Sequence, residues 1–304
     1  MANSSYQVTA VIPVYNGATS IRRSIESVLA QTYPVAELIV VDDGSTDETG
    51  AIVQGFGSRV RYIHQPNSGV ATARNRGMRE AATEWIALLD HDDRWMPTKL
   101  QCQVTALQAS PESKLCYSAH FVHTLDGSKL TNYTPPGQLW PAARLGNPFP
   151  PSVVLLRRAE ALELGGFDER LKGATCEDWD FFVRFLSAYP VTGVPEALTE
   201  NFIEPGGGSR NYRLMLKNTL AISEGSLLAG LSGIDRAIWR RRIKSTIYHR
   251  VALSAREWGD PALAYSLESF RQWPLPGGPK RRFKTLLVEL RDIAARKLGR
   301  RGPG

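Results

Sequence analysis

Three aspartates, Asp90, Asp92 and Asp93, crowd into four positions directly after the apolar run from Trp85 to Leu89. Carboxylates held this close either share a proton or share a cation. One or two carboxylates, completed by phosphate oxygens of a substrate, are the usual protein donors to Mg²⁺ or Mn²⁺. The plain alternative is a solvated loop in which Asp92 or Asp93 caps the helix expected after Pro97. A second acid pair, Glu177 and Asp178, stands at the N-terminal end of a stretch whose Trp179, Phe182, Val183 and Leu186 recur at helical spacing.

Acids so far apart in sequence meet only if the fold carries them to one edge. The stretches "QVTAVIPVYN" (7–16), "ELIVVDD" (37–43), "RVRYIHQ" (59–65) and "EWIALLD" (84–90) read as strands. Helical patterns separate them, "SIRRSIESVLAQ" (20–31) and "SGVATARNRGMREA" (68–81), with Ser45 or Thr46 as candidate cap of a helix between. This alternation predicts an α/β fold, a mostly parallel sheet covered by helices on both faces. Ligands of such sheets bind at the carboxyl ends of the strands. Asn16, Asp42, Asp43, Asn67 and the 90–93 cluster all follow strands and should converge there. Residues 114–151, rich in Pro and Gly, read as irregular, with short strands and loops. "PSVVLLRRAEALELGG" restores a strand and a short helix ended by Gly165 and Gly166, and the pattern is helical from Tyr212 onward. Two regions are expected, a catalytic domain over 1–210 and a helical C-terminal region over 211–304.

Composition sets the bounds. The 304 residues are 42% hydrophobic and 22% charged, as in a folded globular protein, and carry a net charge of +7. Residues 280–304 hold nine basic residues against Glu289 and Asp292, which accounts for all of that charge. A basic average therefore describes a tail and not the main domain. The tail places Phe283, Leu286, Leu287, Leu290, Ile293 and Ala294 on one helical stripe. It could lie peripherally on the inner face of an anionic membrane, or pack on the preceding helices with its charges solvated. Aromatic residues are not interleaved with the basic run, so no nucleic acid partner is expected. Cys102, Cys116 and Cys176 show no metal-ligand spacing and read as free thiols. "MANSSYQVTA" has no basic-then-apolar leader pattern, and a cytoplasmic protein is expected.

Five ordered motifs carry a family resemblance: "VIPVYNG" (11–17), "SVLAQTYPVAELIVVDDGSTDET" (27–49), "NSGVATARNRG" (67–77), "LLDHDDRWMPTKL" (88–100) and "GGFDERLKGATCEDWDFFVR" (165–184). Across residues 7 to 210 the chain resembles family 2 glycosyltransferases of the GT-A fold. The resemblance implies transfer of a sugar from a nucleotide-diphosphate sugar, most often a UDP-sugar, with inversion at the sugar carbon. The acceptor would be a glycan or a lipid-linked saccharide in surface polysaccharide biosynthesis. It further implies that Tyr15 stacks on the nucleotide base with Pro13 bordering the slot. Asp43 would accept from base or ribose, and Arg74 would meet the nucleotide. Asp92 would hold Mn²⁺ or Mg²⁺, with Asp90 contacting ribose or the metal's water. Asp93 stays open, His91 is not proposed as a ligand, and Asp178 would be the base. Bland readings stand beside these: an edge tyrosine, a turn-forming Asp42, a surface ion pair for Arg74, and Glu177 as acceptor guide or helix cap.

Two departures and two rivals complete the reading. Where relatives often carry His-Pro-Gly-Ser, this chain has "NFIEPGGGSR" (201–210), with Glu204 in the His position and Arg210 as the candidate diphosphate contact. A non-catalytic sugar-nucleotide-binding or scaffold protein of the same fold is the alternative function. A nucleotidyltransferase would want a glycine- and basic-rich triphosphate loop after the first strand, and "PVYNGATS" offers none.

Overall fold

The computed structural model describes residues 6–125, 127–131, 133–171, 173, 176–203, 211–274 and 282–297. By internal contacts the chain divides into two compact units, Met1–Ala143 with Asn147–Gly207 and Arg144–Gly146 with Gly208–Gly304.

In the first unit the apolar runs become strands β1 (Val8–Val14), β2 (Glu37–Asp42), β3 (Arg61–His64) and β4 (Trp85–Leu88). Every residue of β1 is buried, because helices cover both of its faces. Alternate side chains serve opposite cores. Ala10, Ile12 and Val14 pack with Ile21, Ile25 and Val28 of α1 (Ile21–Leu29), while Val11 packs with Ala73 and Met78 of α3 (Val70–Glu80). At Gly77 a Cβ would stand 2.2 Å from Val11 Cγ1, so α3 lies this close to β1 only with glycine there. Both β2 and β4 pair with β1 in parallel, setting Val11 opposite Ile39 and Leu88, and β3 extends the sheet beyond β2.

The remaining strands are β5 (Arg94–Trp95), β6 (Leu115–Thr124), β7 (Gly127–Leu130), β8 (Val154–Arg157) and β9 (Val191–Phe202). Sheet order is β3-β2-β1-β4-β8-β6-β9-β5, with β7 hairpinned onto β6. Strands β1 to β4, β6 and β9 run one way, and β5, β7 and β8 the other, which is the mostly parallel sheet expected.

Three expectations need correction, and one strand, β9, is not anticipated from the sequence. Residues 115–124 form one ten-residue strand with a buried first half, longer than the short strands expected between loops. Strand β9 forms although it contains Pro195, because its register against β6 jumps from Ser118↔Val194 to Ala119↔Ala197 and leaves the proline in the bulge. Neither Ser45 nor Thr46 caps a helix: α2 (Thr49–Gln54) starts later, and Asp47 Oδ1 accepts the Thr49 N–H at 3.0 Å. Helix α4 (Lys99–Ala109) follows Pro97 with Thr98 as its boundary residue, so neither Asp92 nor Asp93 caps it. Helices α5 (Pro136–Ala143), α6 (Arg158–Glu163) and α7 (Glu177–Ala188) complete the unit, and Phe181, Phe182 and Phe185 of α7 fill the core on the α3 face.

The second unit is helical: α8 (Tyr212–Glu224), α9 (Gly233–Glu257), α10 (Leu263–Gln272) and α11 (Arg282–Lys297). Asn211 caps α8 by accepting the Leu214 N–H at 3.0 Å. Tyr212, Val251, Ala252, Ala255 and Ala262 form its core cluster. Among the described residues no helix is long and apolar enough to cross a membrane.

Candidate active site

The carboxyl ends of β1 and β2 are laced together by side chains from both loops. Asn16 takes a positive φ of 49°, donates its N–H to Ser45 Oγ at 2.9 Å and accepts from the Thr46 N–H at 2.8 Å. That knot leaves Tyr15 47% exposed past the end of β1, while Pro13 is buried within the strand. Asp42 ties the turn, accepting from the Ser45 N–H at 2.8 Å and from the Tyr62 hydroxyl at 2.6 Å. Asp43 is buried and clamps the start of α3: it accepts from the N–H groups of Ser68 (2.9 Å) and Gly69 (2.7 Å) and from Gln65 (2.7 Å). A carboxylate has about four acceptor positions, so about one of Asp43's is left.

The loop after β4 is held by its backbone. Ser24 of α1 donates to the carbonyls of His91 (2.7 Å) and Asp93 (2.6 Å), and Arg23 donates to that of Asp92. His91 turns to Ser20 at 3.0 Å, away from the acids. Asp93 is buried and spoken for: Ser152 and Asn201 donate to its Oδ2 and the Phe202 N–H to its Oδ1. Burial first, then the charges of Asp90 and Asp92, push its carboxyl well above the usual range. Ser152 itself is fully buried and accepts the Asp90 N–H at 3.0 Å, so a single hydroxyl joins Asp90 to Asp93.

The three acids therefore do three jobs. Asp93 pins the loop to the end of β9, and Asp90 Oδ1 receives Arg74 at 2.7 Å. Asp92 is half-buried. Among the described residues no set of three His, Cys, Asp or Glu side chains is arranged to hold a metal ion. What Asp92 and Asp90 offer is a hard oxygen pair, the donor set that takes Mg²⁺ or Mn²⁺ when phosphate oxygens complete it. The residues fit that group.

Arg74 is buried and forms a bridge across the site. One terminal nitrogen meets Asp90, the other meets Glu177 Oε1 at 2.8 Å, and Nε is buried with no partner. Glu177 is itself buried, its other oxygen accepting the Cys176 N–H at 3.2 Å, so its carboxylate serves Arg74 and the start of α7. Next to it, Asp178 accepts the Trp179 N–H at 2.7 Å and the Asn147 side-chain amide at 2.6 Å. Burial, and then the Glu177 charge, push its carboxyl up to about 7 against the pull of Arg74. Cys176, next to Glu177, and Asn16, next to Tyr15, are the two non-glycine residues with positive φ among the described residues.

Asn75 explains the "GGF" motif. Its amide donates to the Phe167 carbonyl and Glu169 and accepts the Phe167 N–H, each at 2.8 Å. At Gly166, φ is 69° and a Cβ would come within 2.3 Å of Asn75 Oδ1, so glycine is required on two counts. Sequence reasoning missed Ser152, Asn147, Asn201 and Asn75 as positioning residues. Asn75 and Asn201 lie inside α3 and β9 and Ser152 and Asn147 in the chain before β8, and none carries a local signal beyond being polar. Glu204 and Arg210 lie outside the described residues.

Comparison with known proteins bears on the family and the fold. The sequence model of glycosyl transferase family 2 matches residues 9–151, a span holding Pro13, Tyr15, Asp43, Arg74 and the 90–93 acids. An uncharacterized glycosyltransferase of Rickettsia felis is 33% identical over 195 residues, 60% of this chain and 32% of its own length. The putative teichuronic acid biosynthesis glycosyltransferase TuaG of Bacillus subtilis is 33% identical over 137 residues, 44% of this chain and 54% of TuaG. This chain thus spans about a third to a half of the length of these relatives. Among solved structures, S. aureus TarS 1-349 in complex with UDP-GlcNAc matches with a TM-score of 0.66 at 16% identity, covering 98% of this chain and 93% of that one. Mannosyltransferase PcManGT from Pyrobaculum calidifontis, in complex with GDP-Man and Mn²⁺, matches with a TM-score of 0.58 at 18% identity, covering 97% and 88%. Likeness at such identities is one of fold, and the fold is GT-A. Residues 9–151 thus match glycosyl transferase family 2, and the sheet that carries them has the fold of GT-A transferases.

Proposed function

We propose that the chain is a metal-dependent, inverting glycosyltransferase. It moves a sugar from a nucleotide-diphosphate sugar, a UDP-sugar by preference, to a glycan or lipid-linked acceptor in surface polysaccharide biosynthesis, working in the cytoplasm or at the membrane's inner face. The observation that carries this reading is the Arg74 bridge, which ties Asp90 on the donor side to Glu177, the neighbour of Asp178. Support for the donor class comes from the family match and from solved GT-A structures whose complexes contain UDP-GlcNAc or GDP-Man.

Each residue then has a task. The exposed ring of Tyr15 offers a face to the base, with Pro13 bordering the slot, and Asp43 offers its remaining acceptor position to base or ribose. Asp92, with Asp90, would hold the cation. Mn²⁺ or Mg²⁺, when bound, neutralises the diphosphate as it leaves. Arg74 fixes Asp90 in place and holds Glu177 at the start of α7. Asp178 takes the proton from the acceptor hydroxyl as that oxygen attacks the anomeric carbon, and a carboxyl near 7 is well matched to the step at neutral pH. The Asn147 amide keeps the Asp178 carboxylate turned for this. One base opposite one leaving group gives inversion.

Thermal-shift measurements with UDP- and GDP-sugars test the reading. A matching donor at a hundred times its Kd should stabilise the fold by about 2.7 kcal/mol, and only with Mn²⁺ present. No response to any nucleotide-diphosphate sugar, with or without metal, would overturn it.

A further inference from the structure

Helix α11 is docked the opposite way round from most amphipathic helices. Its inward line is polar: Arg282, Thr285 and Glu289 are buried. Arg282 donates to Ser245 of α9 at 3.2 Å and to the Trp273 carbonyl after α10, and Arg256 of α9 binds Glu289 (3.4 Å) and Asp292 (3.1 Å). These ties fix the rotation of the helix about its own axis. Its outward line is apolar, with Phe283 61%, Leu287 65% and Leu290 47% exposed at spacings of four and three. The apolar surface continues onto α10, where Phe270 meets the Phe283 ring edge-on at 4.7 Å and Leu267 is 51% exposed. An apolar strip of this kind is uncommon on a monomer and marks an interaction surface.

The charges beside the strip choose the partner. Lys284 and Arg291, both exposed, line one edge of it, about 100° and 80° round the helix from Phe283. The acids of α11 are turned inward to Arg256, Asp292 also receiving Arg291 at 3.0 Å. The sequence on either side adds Lys280, Arg281, Arg296, Lys297, Arg300 and Arg301. We propose that the Phe283–Leu287–Leu290 face of α11 docks on an anionic lipid surface, the three side chains entering the headgroup boundary and the flanking cations meeting lipid phosphates. The proposal rests on the glycosyltransferase reading only in naming where a lipid-linked acceptor is met: of the apolar stripe, Leu286 and Ile293 are half-buried, and Phe283, Leu287 and Leu290 stay exposed.

Flotation of the full chain with phosphatidylglycerol-containing and pure phosphatidylcholine vesicles tests it, using wild type, the triple variant Phe283→Glu/Leu287→Glu/Leu290→Glu, and the double variant Leu287→Glu/Leu290→Glu, which spares the Phe270 contact. Wild type should float with the anionic vesicles and be released by salt, and both variants should bind about tenfold less or worse with unchanged melting. Equal flotation of wild type and variants, or no flotation of wild type, would overturn the proposal. So would a wild-type dimer, ignoring vesicles, that the variants convert to monomer, since the face would then belong to a second copy. Nucleotide-sugar thermal shifts should be the same in all three proteins, so failure of the lipid proposal and failure of the proposed activity are told apart.

Discussion

Two arginines in this molecule each bridge a pair of carboxylates, and their surroundings differ. Arg74, with a side chain 5% exposed, joins Asp90 to Glu177, acids far apart in the chain. Arg256, 36% exposed, joins Glu289 to Asp292 within one turn of α11. Water reaches Arg256 and part of Asp292, although Glu289 is buried, so loss of this arginine costs less. The first set has no such reserve: remove Arg74 and two acids at the carboxyl edge of the sheet face each other and Asp178 without a cation. The same chemistry is thus a fastening in one place and the frame of a site in the other, and burial makes the difference.

That contrast can be broken by substitution. Arg74→Ala should cost about 3–5 kcal/mol in chemical denaturation, because it strands buried charge. Arg74→Lys should still cost about 1–3 kcal/mol, since an ammonium cannot hold both carboxylates in the planar two-pronged geometry. Arg256→Ala should cost less, about 1–2 kcal/mol, because only Glu289 of its two partners is buried. A stability loss at Arg256 equal to that at Arg74 would mean that burial is not the deciding factor.

How much of this was legible in the sequence follows from how local each cause is. Strands β1, β2 and β4 announce themselves as apolar runs, since both faces of each are covered within the first unit, whereas β3 at the sheet edge leaves Arg61 and His64 exposed. Strand β9 does not, because Gly193 and Pro195 argue against a strand and only the bulge opposite β6 removes the conflict. Ser118 and His120 similarly interrupt β6. At the site, the acids were visible as clustered charges, but their partners were not: Arg74 finds Glu177 103 residues away, and Asp93 finds Asn201 108 residues away. Asp43 was read as a nucleotide ligand, and its clamp on Ser68 and Gly69 depends on where α3 starts in space. For α11 the stripe was legible and its direction was not, because Arg256 of another helix sets the rotation.

The central claim is that Asp178, held beside the Arg74 bridge, is the base of a sugar transfer. The most direct test is the pH profile of nucleoside diphosphate release from the donor recognised in thermal-shift screening, for wild type and Asp178→Asn. A base must be ionised to work, so wild-type turnover should fall about tenfold per pH unit below about 7 and level off above it. Asp178→Asn should bind the donor unchanged, turn it over about 10²- to 10⁴-fold more slowly, and lack the acid limb. Turnover by Asp178→Asn at the wild-type rate, with the same pH dependence, would contradict the account.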